Sequence, residues 1–431
     1  MYKVVFFNWY IAVIVIVIAI AVYFRSCVHL FEHMGLGSLE VYIADFEQPL
    51  LESSRIYYAR QASQWLNDHP TPTYLVKAEA SIEAEIQRVA AYLNPETQNK
   101  LLRVLEEDLL IKYESELLEK EGSGCRVLLN NDMLDDLARM FRLFSRIPKG
   151  LVPMADIVKQ HIADVGNDKV EQRLVRGAAG GGAVGAESKE DKESNDDPQF
   201  VKDLLAVHDK YVNIVNTQFA SNGLLQKALK DAFVEVVNRE AGKFKTAELL
   251  SSFCDRILKT GSTEKLSDEE TENYLERTVQ LFSYLTDKDF FQEVYRNQLA
   301  KRLLNQRSAS DDMEKLMISK LKLKCGAQFT AKMEGMLNDL SIGGDHARSF
   351  DEFLKISTAR ESLGKLEFSV QVLTTGYWPT YRACDAVLPP LMLKCTQIFK
   401  VSTTYNDSLS DSLSGSQTLS HSLSLSATML C

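Results

Sequence analysis

Beyond Ser38 the apolar positions recur at helical spacing almost to residue 360. Tyr74, Ala78, Ile82 and Ile86 stand four apart with Lys77, Glu79, Glu83 and Glu85 between them, which predicts an amphipathic helix whose charged face meets water. Asn94-Pro95 breaks it, and Leu101, Leu102, Leu105, Leu109, Leu110, Tyr113 and Leu117 form the next stripe, ended by Gly122-Ser123-Gly124. Met133, Leu134, Leu137, Met140, Phe141 and Phe144 make a third apolar face, stopped by Pro148 and Gly150. Short turns between such segments favour antiparallel neighbours in a bundle or solenoid. The pattern resumes at Phe200: Val201, Leu204, Leu205, His208, Tyr211, Val212 and Val215 share a face, on which His208 reads as a packing residue rather than a ligand. Leu249, Leu250, Phe253, Ile257 and Leu258 predict another helix, closed by Gly261.

Two stretches differ in kind. From Val4 to Phe24 there is no charge, and Ile11 to Val22 is an unbroken Ile/Val/Ala run between Lys3 and Arg25. As a helix this stretch would rise roughly 30 Å, enough to cross a hydrocarbon core. Val4, Trp9, Ile14, Ile18 and Phe24 are its candidate membrane residues, with Trp9, Tyr10 and Tyr23 placed like interfacial aromatics. A cleaved signal peptide and a buried helix are the competing readings, and Arg25-Ser26-Cys27 offers no small-x-small cleavage site. Residues 176–198 form a Gly/Ala stretch followed by an acidic polar run, read as a mobile loop because it cannot bury enough apolar surface to offset its ordering entropy. Gly180, Gly182 and Gly185 match G-x-G-x-x-G by letter, but no Val/Ile-rich strand precedes them, so dinucleotide binding is not inferred.

Composition narrows the function classes. The 431 residues are 45% hydrophobic and 25% charged, enough to bury large cores in two or more domains. Forty-nine Lys and Arg against 59 Asp and Glu give a net charge of -10, so no whole-chain footprint for nucleic acid arises, and proteins are the expected partners. The seven cysteines are scattered without a C-x-x-C pair, and none of the seven histidines forms H-E-x-x-H or a similar cluster. The reading therefore names no catalytic residue, metal ligand or cofactor, and expects a non-enzymatic chain.

From Thr286 the pattern becomes specific. Thr286-x-x-Asp289 reads as a capping box, and Phe291, Tyr295, Leu299 and Leu303 follow four apart while Arg296, Lys301 and Arg302 take other faces. A second helix begins near Ser310-Asp311-Asp312 and ends in Lys322, Lys324 and Gly326, each end suiting the helix dipole. A third runs through Phe329, Met333, Met336, Leu337 and Leu340. As strings, Asp287-Lys-Asp-Phe-Phe, Tyr295-Arg-Asn-Gln-Leu-Ala-Lys-Arg-Leu-Leu304, Ser308-Ala-Ser-Asp-Asp312, Ile318-Ser-Lys-Leu-Lys322 with Cys325-Gly326, and Val372-Leu-Thr-Thr-Gly-Tyr-Trp-Pro379 resemble the homology region of the cullins. Upstream, Tyr57-Tyr-Ala-Arg60, Lys77-Ala-Glu79, Ser145-Arg-Ile147 and Asp203-Leu-Leu-Ala-Val-His-Asp-Lys-Tyr211 resemble that family's helical stalk. The resemblance runs from about residue 40 to 400.

The resemblance implies a mainly α fold: a partial cullin-repeat stalk over 38–245, a four-helix bundle over 246–360, and the start of a small α/β domain over 361–400. A hydrophobic segment (1–25) precedes these, and a Ser/Leu-rich tail expected to be disordered (401–431) follows. Cullins are scaffolds of ubiquitin ligases that hold a substrate adaptor and a RING-box protein and supply no nucleophile. Leu366-Glu-Phe-Ser-Val-Gln-Val-Leu373 alternates like a half-buried strand. By resemblance Phe368, Val370 and Val372 are the candidate RING-box interface through edge pairing, an ordinary internal strand being the plainer alternative. The resemblance takes in too little of the first repeat to support adaptor docking, and it stops before the module whose lysine carries a ubiquitin-like modifier, so that attachment is not expected. It implies a cytoplasmic and nuclear location, membrane-associated if the first segment is an anchor. A decoy or membrane tether that binds a ligase partner without supporting ubiquitin transfer is the second functional reading.

Overall fold

The computed structural model describes residues 22–179, 197–240, 242–261, 266–356, 371–380 and 389–414. They are predominantly helical. The described residues fall into two compact units, one within Met1–Asp168 and Ala206–Val236, the other within Lys169–Leu205 and Val237–Cys431.

In the first unit, residues 22–34 are helical and a wide π turn, Tyr42–Glu47, leads into α1 (Gln48–Asp68). Then come α2 (Thr71–Tyr92), α3 (Thr97–Leu105), α4 (Glu114–Glu119), α5 (Cys125–Asn130) and α6 (Leu134–Phe144). The helices α7 (Leu151–Ala179), α8 (Pro198–Thr217) and α9 (Gly223–Asn238) each contribute residues to both units. The predicted stripe of α2 is the core: Tyr74, Ala78 and Ile82 are buried and Ile86 half-buried. Tyr74 also donates its hydroxyl to the Leu109 carbonyl at 2.7 Å, so its polar end is satisfied inside the apolar layer.

One residue of the expected solvated face departs from the reading. Glu85 is buried, accepting hydrogen bonds from the Tyr58 hydroxyl and from Arg88. A charge can sit inside when the neighbouring helix brings it donors, and periodicity within α2 does not report what α1 brings. The second stripe is also not one regular helix. After α3 the chain widens into a π turn, Glu106–Leu110, and tightens into a 3-10 turn, Ile111–Tyr113. The extra residue per turn lets Leu109 and Leu110 both point inward and buries Asp108, which pairs with Lys112. Leu137, Met140, Phe141 and Phe144 of α6 are buried as expected, whereas Met133 stays 39% exposed. His208 packs edge-on against Phe233 at 4.9 Å, as a packing residue should. Gly166 on α7 lies so close to α9 that a Cβ there would meet Val236 at 2.6 Å.

The second unit holds α10 (Thr246–Leu258), α11 (Asp268–Phe282), α12 (Lys288–Leu304), α13 (Asp311–Cys325), α14 (Ala327–Ile356) and α15 (Pro390–Ser414). Here α10 packs on α11 and α12, α13 packs on α11 and α14, and α14 also touches α12 and α15. Phe291, Tyr295, Leu299 and Leu303 are all buried, and α13 starts and stops where the acidic and basic ends predicted, with Gly326 at φ +87° closing it.

The capping of this unit differs from the expectation. Thr286 does not cap α12: its backbone NH and hydroxyl both donate to Asn238, at 2.9 and 2.8 Å. Asp287 takes the cap position, accepting from the Phe290 NH at 3.1 Å. A full capping box forms instead at α11, where Ser267 accepts from the Glu270 NH at 3.2 Å and Glu270 accepts from the Ser267 NH at 2.9 Å. Ser267→Ala is expected to cost about 1 kcal/mol in urea unfolding, and no measurable loss would show that this exposed cap is redundant.

The expected strand Leu366–Leu373 lies mostly on residues outside the described ones; its last part, 371–373, has no regular secondary structure. An isolated antiparallel bridge joins Lys259 and Ser308. The helix α15 continues to Ser414, into the stretch whose composition suggested an unstructured tail. Leu409 and Leu413 stand four apart there, a spacing a helix can continue. Residues 415–431, and 180–196 of the expected loop, lie outside the described residues, while Arg176 to Ala179 are still helical.

Candidate functional site

One of the strings that carry the resemblance, Val372 to Pro379, is seated on α14 by two positions one helical turn apart, Gly335 and Asp339. Asp339 accepts three hydrogen bonds from it: the Thr374 NH at 2.7 Å, the Thr374 hydroxyl at 2.9 Å and the Trp378 indole NH at 2.7 Å. A turn closes between the first and last of these, with the Tyr377 NH donating to the Thr374 carbonyl at 3.0 Å. A single carboxylate thus fixes a backbone group and two side chains. Four residues earlier, Gly335 leaves room for the Tyr377 ring: a Cβ there would come within 2.4 Å of it. Trp378 is buried beside this contact and Tyr377 is 37% exposed.

The platform itself is held by the bundle. Off the apolar stripe of α12, Arg302 is nevertheless 2% exposed, which the spacing alone does not indicate. Its guanidinium donates to both oxygens of Glu314 on α13, at 2.8 and 2.9 Å, and to Asp255 on α10. Ser308 donates to the same Glu314 at 2.8 Å, and the Lys259–Ser308 bridge places that serine. Burial acts against the arginine's charge, but Glu314 and Asp255 outweigh it and hold the guanidinium above its usual range. Burial and the charge of Glu314 push the adjoining Tyr295 hydroxyl well up, so it stays neutral. Lys322 and Glu334 pair at 3.0 Å between α13 and α14, and Phe350 meets Phe399 edge-on at 5.3 Å between α14 and α15.

Of the residues predicted as interface, Val372 is half-buried at the start of the seated segment, while Phe368 and Val370 lie outside the described residues. Val4, Trp9, Ile14 and Ile18 of the apolar segment lie outside them too. Phe24, its last residue, packs edge-on against Phe46 at 6.2 Å and Tyr92 at 6.0 Å. Among the described residues no helix is long and apolar enough to cross a membrane. The buried thiols of Cys125 and Cys254 are each pushed up to about 12 by burial, which makes them poor nucleophiles.

A family model described as the cullin alpha solenoid domain matches residues 17–346. The chain belongs to the cullin family. The match begins upstream of residue 40, where the motifs alone placed it, and takes in the end of the apolar run. The chain is 43% identical to Cullin-1 of Oryza sativa subsp. japonica over 387 residues, covering 87% of this chain and 50% of that protein. To Cullin-2 of Arabidopsis thaliana it is 41% identical over 373 residues, 85% of this chain and 48% of the relative. A putative cullin-like protein 1 of the same plant is 36% identical over 368 residues, 85% and 46% of the two lengths. This cullin chain therefore spans about half the length of the curated relatives it matches, and its α-solenoid helices are the family's.

Asp339 and Gly335 were not singled out from sequence. The signal available was their four-residue spacing upstream of a Thr/Tyr/Trp cluster, which gains meaning only once the later segment folds back onto α14.

Proposed function

We propose that this cullin chain is a non-catalytic scaffold of a cullin-RING ubiquitin ligase, bridging a substrate receptor and a RING-box protein in ubiquitin-dependent degradation. Family membership supports the scaffold class. The observation that carries the RING-box half is the seating of residues 374–378 on Asp339 and Gly335, because it holds the chain just past Val372 against a bundle fixed by a buried ion network. A rigidly anchored segment pays less ordering entropy when Phe368, Val370 and Val372 pair with an incoming strand. The scaffold would then act by proximity, raising the local concentration of a substrate lysine near the charged conjugating enzyme.

The test is capture of purified RING-box protein by the full chain. Wild type is expected to bind, and Gly335→Val, which drives Tyr377 off α14, to lower affinity about tenfold, roughly 1.4 kcal/mol. Asp339→Ala should act in the same direction. Absence of binding by the wild-type chain, with a longer cullin binding alongside it, would sink the RING-box assignment. Binding without ubiquitin transfer in a reconstituted reaction would favour the tether over the ligase scaffold.

A further inference from the structure

His29-x-x-Glu32-His33 is H-E-x-x-H in reverse order, a cluster the sequence reading did not expect, and the helix over residues 22–34 brings its two exposed imidazoles together beside the half-buried Glu32. The Nδ1 atoms of His29 and His33 are 2.8 Å apart, and their ring centroids are 4.2 Å apart. Glu32 brings a carboxylate oxygen to 3.6 Å from His29 Nδ1. That carboxylate is held from outside its own helix, since Asn94 donates to its other oxygen at 2.8 Å. Both imidazoles are solvent-exposed, so no desolvation stands between them and an ion.

We propose that His29 and His33 form an open surface site for a divalent transition-metal ion of the zinc, nickel or copper class, with Glu32 as a charged positioning residue. Neutral imidazoles at i and i+4 on a helix present two nitrogens to one point, and this ligand type suits those ions above magnesium or calcium. Among the described residues no group of three His, Cys, Asp or Glu is close enough to enclose an ion, so water completes the coordination and the site stays open. Two nitrogens on one tetrahedral zinc stand roughly 3.3 Å apart, so the rings must part by a few tenths of an ångström, which exposed side chains can do. The competing interaction is local: His33 Nδ1 lies 2.8 Å from the His29 carbonyl. Ligation through that nitrogen moves its proton to Nε2 and gives up that bond, while ligation through Nε2 keeps it. The carboxylate of Glu32 attracts the cation, and Asn94 keeps it pointed at His29, the outer-shell arrangement that tunes many metal sites.

The experiment is calorimetric titration of the untagged full chain with zinc(II) or nickel(II) at about pH 7.5, repeated at about pH 5.5, where imidazole is largely protonated. Saturable binding is expected at the higher pH and its loss at the lower. His29→Gln and His33→Gln should each weaken binding about tenfold or more, His69→Gln should not, and Glu32→Gln should have a smaller effect than either ligand change. In the wild-type chain, cobalt(II) should give visible ligand-field bands that zinc(II) removes, which keeps the proposal testable if a variant folds poorly. Absence of saturable binding, or binding unchanged in the double His29→Gln, His33→Gln chain, overturns it.

Discussion

Arg302→Ala is expected to be the most damaging single substitution in the second unit, lowering its stability by about 3–5 kcal/mol. The reason is what remains behind. Glu314 is fully buried and loses both guanidinium bonds, keeping Ser308 as its close donor, while Asp255 loses the same partner. An uncompensated buried carboxylate carries a desolvation penalty that a smaller side chain cannot relieve. Removing both members of the pair tests this account. Arg302→Met with Glu314→Met should be less destabilising than Arg302→Ala alone, because the second charge leaves with the first. Urea unfolding followed by circular dichroism measures both. A loss below about 1 kcal/mol for Arg302→Ala would mean that water reaches Glu314 and that the network is solvated.

In the first unit the corresponding lever is acid. His161 is 3% exposed, with its Nε2 at 2.7 Å from the Tyr211 hydroxyl and the two rings edge-on at 5.6 Å. Burial pushes its pKa down to about 4, and the cations Arg126 and Lys210 add to the shift while Asp164 and Asp132 oppose it. The Tyr211 hydroxyl is pushed up to about 12 by burial and by Asp132, so it remains a neutral partner. The folded state therefore prefers neutral imidazole. Between the unfolded value near 6.5 and the folded value of about 4, the unfolded chain binds more protons, so stability falls as pH falls through that window and is fully present above it. Between pH 7 and pH 5 the histidine should account for about 2 kcal/mol of lost stability. His161→Gln retains a hydrogen-bonding group but does not titrate in this window. Its unfolding free energy should depend less steeply on pH than that of the wild type, and equal slopes would remove His161 as the cause.

The apolar skeleton was readable because each helix carries its own record of which face is buried. Phe291, Tyr295, Leu299 and Leu303 needed no other helix to declare themselves, and the ends of α13 followed from Asp311, Asp312, Lys322, Lys324 and Gly326 in the same local way. Glu85, on the expected solvated face, and Arg302, off the apolar stripe of its helix, are buried by residues from elsewhere: Tyr58 on α1, and Asp255 and Glu314 on α10 and α13. Thr286 shows the same limit at a helix end, where Asn238 captured a side chain whose spacing fitted a cap. The π turn at Glu106–Leu110 left no trace because its leucines satisfy the ordinary helical spacing up to the point where both turn inward. For the candidate site, the motif that signals the family was visible, but its anchor on α14 lies more than thirty residues upstream and carries no motif of its own.

The placement of Gly335 and Asp339 on one side of α14 also gives that helix a phase. Each residue advances an α-helix by roughly 100°, so a single insertion N-terminal to Gly335 within α14 would swing the notch and the carboxylate away together. An insertion of seven residues would bring both back to within about 20°, displaced along the axis. Length changes in α14 are thus constrained by angle more tightly than by distance, and the seated segment reads the helix much as a key reads the rotation of a lock.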